Sequence, residues 1–145
     1  MNRIMFDIYN LIQELSWCFG SQGLGGKYCG DLSFIQFMAL KKLCEYDDIT
    51  VLEMAKKLNI TKSGASKIID RLENKGYVYR ENSPVDGRVC YIRITDKGVN
   101  EVSKIIKRYT DYVSEMLKDL DPIVLDHIKK VLELLVILEA RRVRS

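Results

Sequence analysis

Asp86, Gly87 and Arg88 lie in a run of turn-forming residues between two segments rich in β-branched and aromatic side chains, Tyr77 to Arg80 and Val89 to Ile94. Such a pattern predicts a β-hairpin. An arginine at the tip of a narrow hairpin suits the negative potential of a DNA minor groove, and Asp86 can orient Arg88 through a charge-assisted hydrogen bond. Arg80 and Arg93 add cations on the strands. Upstream, Ser63, Gly64, Ser66, Lys67 and Arg71 bring together small, hydrogen-bonding and cationic residues, where a merely solvated face would more usually carry long Glu and Lys side chains. This composition suits close approach to phosphates and base edges. Ser63, Ser66 and Lys67 are therefore candidates for the major groove, Arg71 for a phosphate or for bracing the module, and Arg88 for the minor groove.

Other chemistry finds less support. Cys18, Cys29, Cys44 and Cys90 are scattered without a C-x-x-C pair, and the single histidine, His127, falls mid-helix with no second ligand at i+3 or i+4. That argues against a metal site and against cysteine–histidine catalysis. No glycine-rich phosphate loop follows a strand, since Gly23, Gly25 and Gly26 lack a strand before them. No cofactor and no enzymatic activity are expected. Reduced thiols are the default, with Cys44 and Cys90 expected in the core.

The elements that must position these residues are legible locally. Thr50 and Glu53 form a T-x-x-E capping box that starts a helix running to Leu58. Asn59, Ile60 and Thr61 make a turn, Asn59 tolerating a left-handed conformation and Thr61 capping the next helix. In that helix Ala65, Ile68, Ile69 and Leu72 share one face, which leaves Ser63, Ser66, Lys67, Asp70 and Asn74 outward. Gly76 ends it. A helix-turn-helix followed by a hairpin is the result.

Charge supports the same region. Residues 61–93 hold seven Lys or Arg against four Asp or Glu, while the remaining residues hold sixteen of each sign, so the whole formal excess of +3 lies on this module. Counterion release there would supply affinity for a polyanion. A 145-residue chain with 47% hydrophobic and 30% charged residues reads as one ordinary globular domain. No stretch approaches the length of a bilayer span, and Asp7 and Glu14 interrupt the apolar residues of the first twenty, unlike a signal peptide. A cytoplasmic location and no membrane partner are expected.

Further motifs carry a resemblance. S-x-x-Q at Ser33 and Gln36, T-x-x-E-x-A-x-x-L from Thr50 to Leu58, D-R-L-E-x-K-G from Asp70 to Gly76, and D-x-R followed by I-T-x-x-G at Asp86, Arg88, Ile94, Thr95 and Gly98 resemble the MarR family of bacterial and archaeal transcription regulators. The resemblance implies a mainly α chain with a small β-hairpin wing, an α+β winged helix-turn-helix with N- and C-terminal dimerisation helices. It implies a homodimeric repressor or activator on a pseudo-palindromic double-stranded DNA operator, the second helix of the pair in the major groove and the wing arginine in the minor groove. Some branches of the family sense peroxides or electrophiles through a cysteine in the first helix, which makes Cys18, beside Trp17 and Phe19, a candidate sensor with Cys29 as a partner. Others sense small molecules, and Trp17, Tyr28, Phe37 and Tyr109 are candidates to line an effector pocket.

The ends of the chain suggest a partner independently. Met5, Ile8, Leu11, Ile12 and Leu15 recur at helical spacing, but Phe6, Tyr9 and Trp17 make other faces apolar too. A helix from Asp96 to about Asp119 leads to Asp121 and Pro122, a helix start signal, and then to Val131–Leu138, where Glu133 alone is not apolar. One stripe cannot use so many apolar side chains, so a homodimer interface is expected on the terminal helices. Residues 1–145 are expected to form a single domain, with 1–30 and 96–145 dimerising and 31–95 forming the winged helix. Gly20 to Gly30 is the expected flexible connection. The rival reading is a winged helix for protein–protein assembly with no specific DNA site, on which Asp86 and Arg88 would have little purpose.

Overall fold

The structure is a computed structural model and describes residues 2–20 and 30–144. Among these the elements run α1 (Arg3–Phe19), α2 (Phe34–Glu45), α3 (Val51–Leu58), α4 (Lys62–Asn74), β1 (Val78–Asn82), β2 (Cys90–Ile94), α5 (Asp96–Leu117) and α6 (Pro122–Arg144). The fold class is as expected, mainly helical with one antiparallel hairpin. The expected glycine connection falls largely outside the described residues. Two compact units divide the chain, residues 1–108 and 109–145.

In the first unit the helix boundaries follow from their caps. Ser33 and Gln36 close a full capping box, the Ser33 hydroxyl accepting from the Gln36 N–H at 3.2 Å while Gln36 Oε1 accepts from the Ser33 N–H at 3.1 Å. At Thr50 only the threonine half of the expected box forms, its hydroxyl accepting from the Glu53 N–H. Asn59 takes the left-handed conformation, with φ 54°, and the Ile60 N–H turns back to the Ala55 carbonyl. Thr61 then accepts from the Gly64 N–H at 3.0 Å and opens α4. Gly76, at φ +81°, ends α4 with the Tyr77 N–H on the Leu72 carbonyl, a Schellman closure. That closure also uses the Tyr77 N–H, so β1 begins at Val78 rather than at Tyr77.

Leu40, Ile49, Met54, Ile69, Leu72 and Ile105 are fully buried between α2, α3, α4, the hairpin and the start of α5. Each such side chain contributes about 1.5–3 kcal/mol relative to exposure. Ala65, Ile69 and Leu72 carry the buried face of α4 as expected, whereas Ile68 is half-buried at its edge. The strands pair Val78 with Ile94, Arg80 with Ile92 and Asn82 with Cys90. Ile92 also donates to the Ile49 carbonyl at 2.8 Å, an isolated bridge that ties the α2–α3 connection to the hairpin. Thr95 joins the end of α4 to the start of α5: its hydroxyl donates to the Gly76 carbonyl at 2.7 Å and accepts from the Gly98 N–H at 3.1 Å. Phe37 belongs to this core, 6% exposed, and so is packing rather than an open pocket wall. Helix α1 has no buried residue.

In the second unit Asp121 accepts from the Leu125 N–H and Pro122 occupies the first turn of α6, as the start signal predicts. No residue of α6 is buried; Val131, Leu132, Leu134, Val136, Ile137 and Leu138 are all about half exposed or more. Leu117, Leu125, Ile128, Leu132, Val136 and Ile137 line an apolar groove of about 700 Å³.

Candidate nucleic-acid interface

Helix α4 carries Ser63, Lys67 and Arg71 exposed and Ser66 half-buried. Their spacing over two turns keeps them off the face that Ala65, Ile69 and Leu72 bury. Gly64 follows Ser63 with the Thr61 hydroxyl 3.1 Å from where a Cβ would stand, so the capped turn is close-packed and the backbone at the helix start stays bare.

The hairpin tip is built by Ser83. Its hydroxyl accepts from the Val85 N–H at 3.2 Å and the Asp86 N–H at 3.3 Å, while Ser83 N–H donates to Val89 and Val89 N–H to Asp86. On this frame Asp86 orients Arg88 as expected. Oδ1 accepts from the Arg88 backbone N–H at 3.0 Å and from Nε at 3.1 Å, and Oδ2 from the other end of the guanidinium at 3.3 Å. The Arg88 side chain is nonetheless 92% exposed. The side-chain bond to Arg88, then the backbone bond, hold the Asp86 carboxyl below the usual carboxylate range. The pairing is thus complete above that range and is lost as pH falls through the lowered value.

Arg80 and Arg93 are placed differently from a simple basic wing. The two terminal nitrogens of Arg80 reach Asp70 Oδ1 at 2.7 Å and Glu73 Oε1 at 2.6 Å, both on α4. Arg93 binds Asp48 at 2.9 Å and approaches Glu81 at 3.9 Å. All four acids of residues 61–93 are therefore engaged by arginines. Lys75 donates to the Asp31 carbonyl and to Gln36 Oε1. Of the seven cations of residues 61–93 this leaves Lys62, Lys67 and Arg71 without a partner among the described residues, so the unpaired cations of this segment lie on α4. The alternation of β1, which puts Arg80 on the same side as buried Val78, is the sequence signal that would have found the first of these contacts.

The candidate signal residues scatter. Cys18 and Trp17 are exposed near the end of α1, and Tyr109 is half-buried at the start of the second unit. Cys29 and Tyr28 lie outside the described residues. Cys44, expected in the core, is exposed, because α2 buries the face of Phe37, Leu40 and Leu43 and residue 44 is turned about 100° from Leu43. Partial burial of the thiol itself, then the charge of Glu45, raises its pKa. Cys90, also expected in the core, is half-buried at the first position of β2, its sulfur 3.8 Å from the Tyr91 carbonyl. Among the described residues no group of three potential metal ligands comes together.

Residues 32–90, from the last turn before α2 to the start of β2, match the MarR family. That segment is a MarR-family domain. The chain is 30% identical over 95 residues to the uncharacterized HTH-type transcriptional regulator YdgJ of Bacillus subtilis (strain 168), an alignment covering 66% of this chain and 58% of that protein. The chain thus spans under two thirds of the length of the curated relatives it matches. Among solved structures, a MarR family protein from Bacillus stearothermophilus superposes with a TM-score of 0.84 at 23% identity, over 97% of this chain and 99% of that one. MepR, a transcription regulator of the Staphylococcus aureus multidrug efflux pump MepA, gives 0.70 at 20% identity, over 89% and 93%. These likenesses identify the winged-helix fold. The curated relatives the chain matches are HTH-type transcriptional regulators, MhqR of Bacillus subtilis (strain 168) among them, at 27% identity over 57% of each chain. None of the described helices is long and apolar enough to cross a membrane.

Proposed function

We propose that this chain is a cytoplasmic DNA-binding transcription regulator, a repressor that binds a pseudo-palindromic duplex as a homodimer and is released by an oxidant or small-molecule signal. One observation carries the DNA reading. Within residues 61–93 the cations left without a partner, Lys62, Lys67 and Arg71, stand on one helix, and the hairpin beyond it presents Arg88 almost fully exposed yet held by Asp86. Helix α4 is the recognition helix, with Ser63, Ser66 and Lys67 toward base edges or phosphates and Arg71 on a phosphate; Arg88 enters the minor groove. The exposed apolar residues of α1 and α6 support the dimer, and the exposed thiol of Cys18 supports an oxidant input.

The test is a titration of the intact chain with genomic duplex fragments at two salt concentrations. Saturable binding that weakens steeply with salt, with one fraction of fragments retained at the higher salt, is expected. Weak binding equal for all fragments would favour instead a winged helix that serves protein–protein assembly.

A further inference from the structure

We propose that Arg80 is a positioning residue for DNA binding: it holds the carboxylates of Asp70 and Glu73 against β1 and so keeps two negative charges of the recognition helix away from the duplex. The inference rests on the DNA-binding reading above. Asp70 lies three residues after Lys67 and four after Ser66, on the face of α4 assigned to the groove, and its side chain is 58% exposed. A carboxylate there faces a polyanion and opposes the cations beside it. Glu73, one turn on, is 40% exposed and adds a second.

Arg80 reaches both because of strand alternation. Val78 and Arg80 point to the side that also carries buried Ile92, so the guanidinium rises at the rim of the core beside α4. One terminal nitrogen goes to each acid, at 2.7 and 2.6 Å, and the side chain is only 30% exposed. The planar fork of arginine makes two such bonds at once, whereas the ammonium of a lysine is a single point. A guanidinium so committed is not itself a phosphate ligand. Its effect on binding is therefore indirect and depends on the two acids being present.

That dependence gives the test. A duplex recovered by the wild-type chain from a random-sequence pool serves as probe, and affinity is measured at low and high salt for wild type, Arg80→Gln, Asp70→Asn with Glu73→Gln, and all three changes together. Arg80→Gln is expected to weaken binding about tenfold at low salt and less at high salt. Neutralising the two acids is expected to recover most of that loss in the Arg80→Gln chain, but to raise wild-type affinity by less than about threefold. Equal gains in the two backgrounds would mean that the three charges act independently, and would overturn the proposal. No recovery would make Arg80 a clamp of the wing and overturn it equally. Should Arg80→Gln lose its helical signal, Arg80→Lys, which keeps the charge but not the fork, carries the same comparison. A wild-type chain that recovers no duplex defeats the DNA-binding reading; one that does, with Arg80→Gln binding equally well, defeats this inference alone.

Discussion

Arg88 and Arg80 leave the same hairpin with opposite tasks, and the difference lies in what each guanidinium meets. Arg88 is held by one carboxylate two residues away and remains open to solvent, so Arg88→Ala should weaken DNA binding about tenfold or more while helix content stays unchanged. A gel-shift titration beside a circular dichroism spectrum checks this, and wild-type affinity in the variant would remove the minor-groove role. Cys18 is exposed, as a sensor requires, whereas the partial burial and neighbouring Glu45 that raise the Cys44 thiol make it a slower thiolate. If the oxidant reading holds, mild peroxide releases wild-type protein from DNA and leaves the Cys18→Ser variant bound; equal behaviour of the two proteins would make Cys18 a packing residue. Tyr77 gives a pH signature. Its ring is buried and its hydroxyl donates to Asp31 Oδ1 at 2.9 Å. Burial first, then Asp31 and Glu101, push its pKa up to about 12. Because the folded value lies above the unfolded one near 10, the contribution is fully present below pH 10 and is lost as pH rises through about 12. Asp31 is exposed, so this amounts to about 1–2 kcal/mol. Urea unfolding should show Tyr77→Phe less stable at pH 8 and level with wild type at the alkaline end.

At the scale of elements, the approach of α5 to the hairpin depends on one missing side chain. A Cβ on Gly98 would overlap the Tyr77 carbonyl and stand 2.6 Å from Ile94 Cγ1, against backbone that Thr95 and the Gly76 carbonyl already pin. Gly98→Ala, normally favourable in a helix, should here cost about 2–3 kcal/mol, read as a fall in Tm of several degrees. A Tm at or above wild type would show that α5 can shift without loss. Caps and turns at Ser33, Asn59, Thr61 and Gly76 were legible because each uses residues within a few positions of one another. Strand ends moved by up to two positions: the Schellman closure takes the Tyr77 N–H at the start of β1, and pairing with Tyr91 and Cys90 carries its end on to Asn82. The half-made box at Thr50 and the Ile49–Ile92 bridge were not legible, because side-chain rotamers and contacts across the chain decide them.

For the whole molecule, the terminal helices make the decisive case. No residue of α1 or α6 is buried, and α6 exposes Leu132, Leu134, Val136 and Leu138 with their neighbours on more than one face. Apolar surface on that scale marks an association site. The intact chain should therefore sediment as a dimer at micromolar concentration. Val136→Glu with Ile137→Glu should shift it toward monomer, with a loss of DNA affinity, because two half-sites are then no longer held together. A stable monomer that binds DNA with wild-type affinity would refute the assembly.

Sequence by itself determined the order of the elements, the helix starts, the turn of the helix pair, the buried stripe of α4 and the Asp86–Arg88 tip, all set by short-range periodicity and capping. It also placed the excess charge in residues 61–93. Only the tertiary structure decided how that charge is spent: Asp70 and Glu73 are bound by Arg80, Asp48 by Arg93 and Lys75 by the start of α2, which leaves Lys62, Lys67 and Arg71 as the unpaired cations of that segment. The same holds for the cysteines, since Cys44 lies one residue, and so about 100°, from the buried Leu43. Net charge and residue type are properties of the chain, whereas pairing and exposure depend on which faces the folded elements turn toward one another.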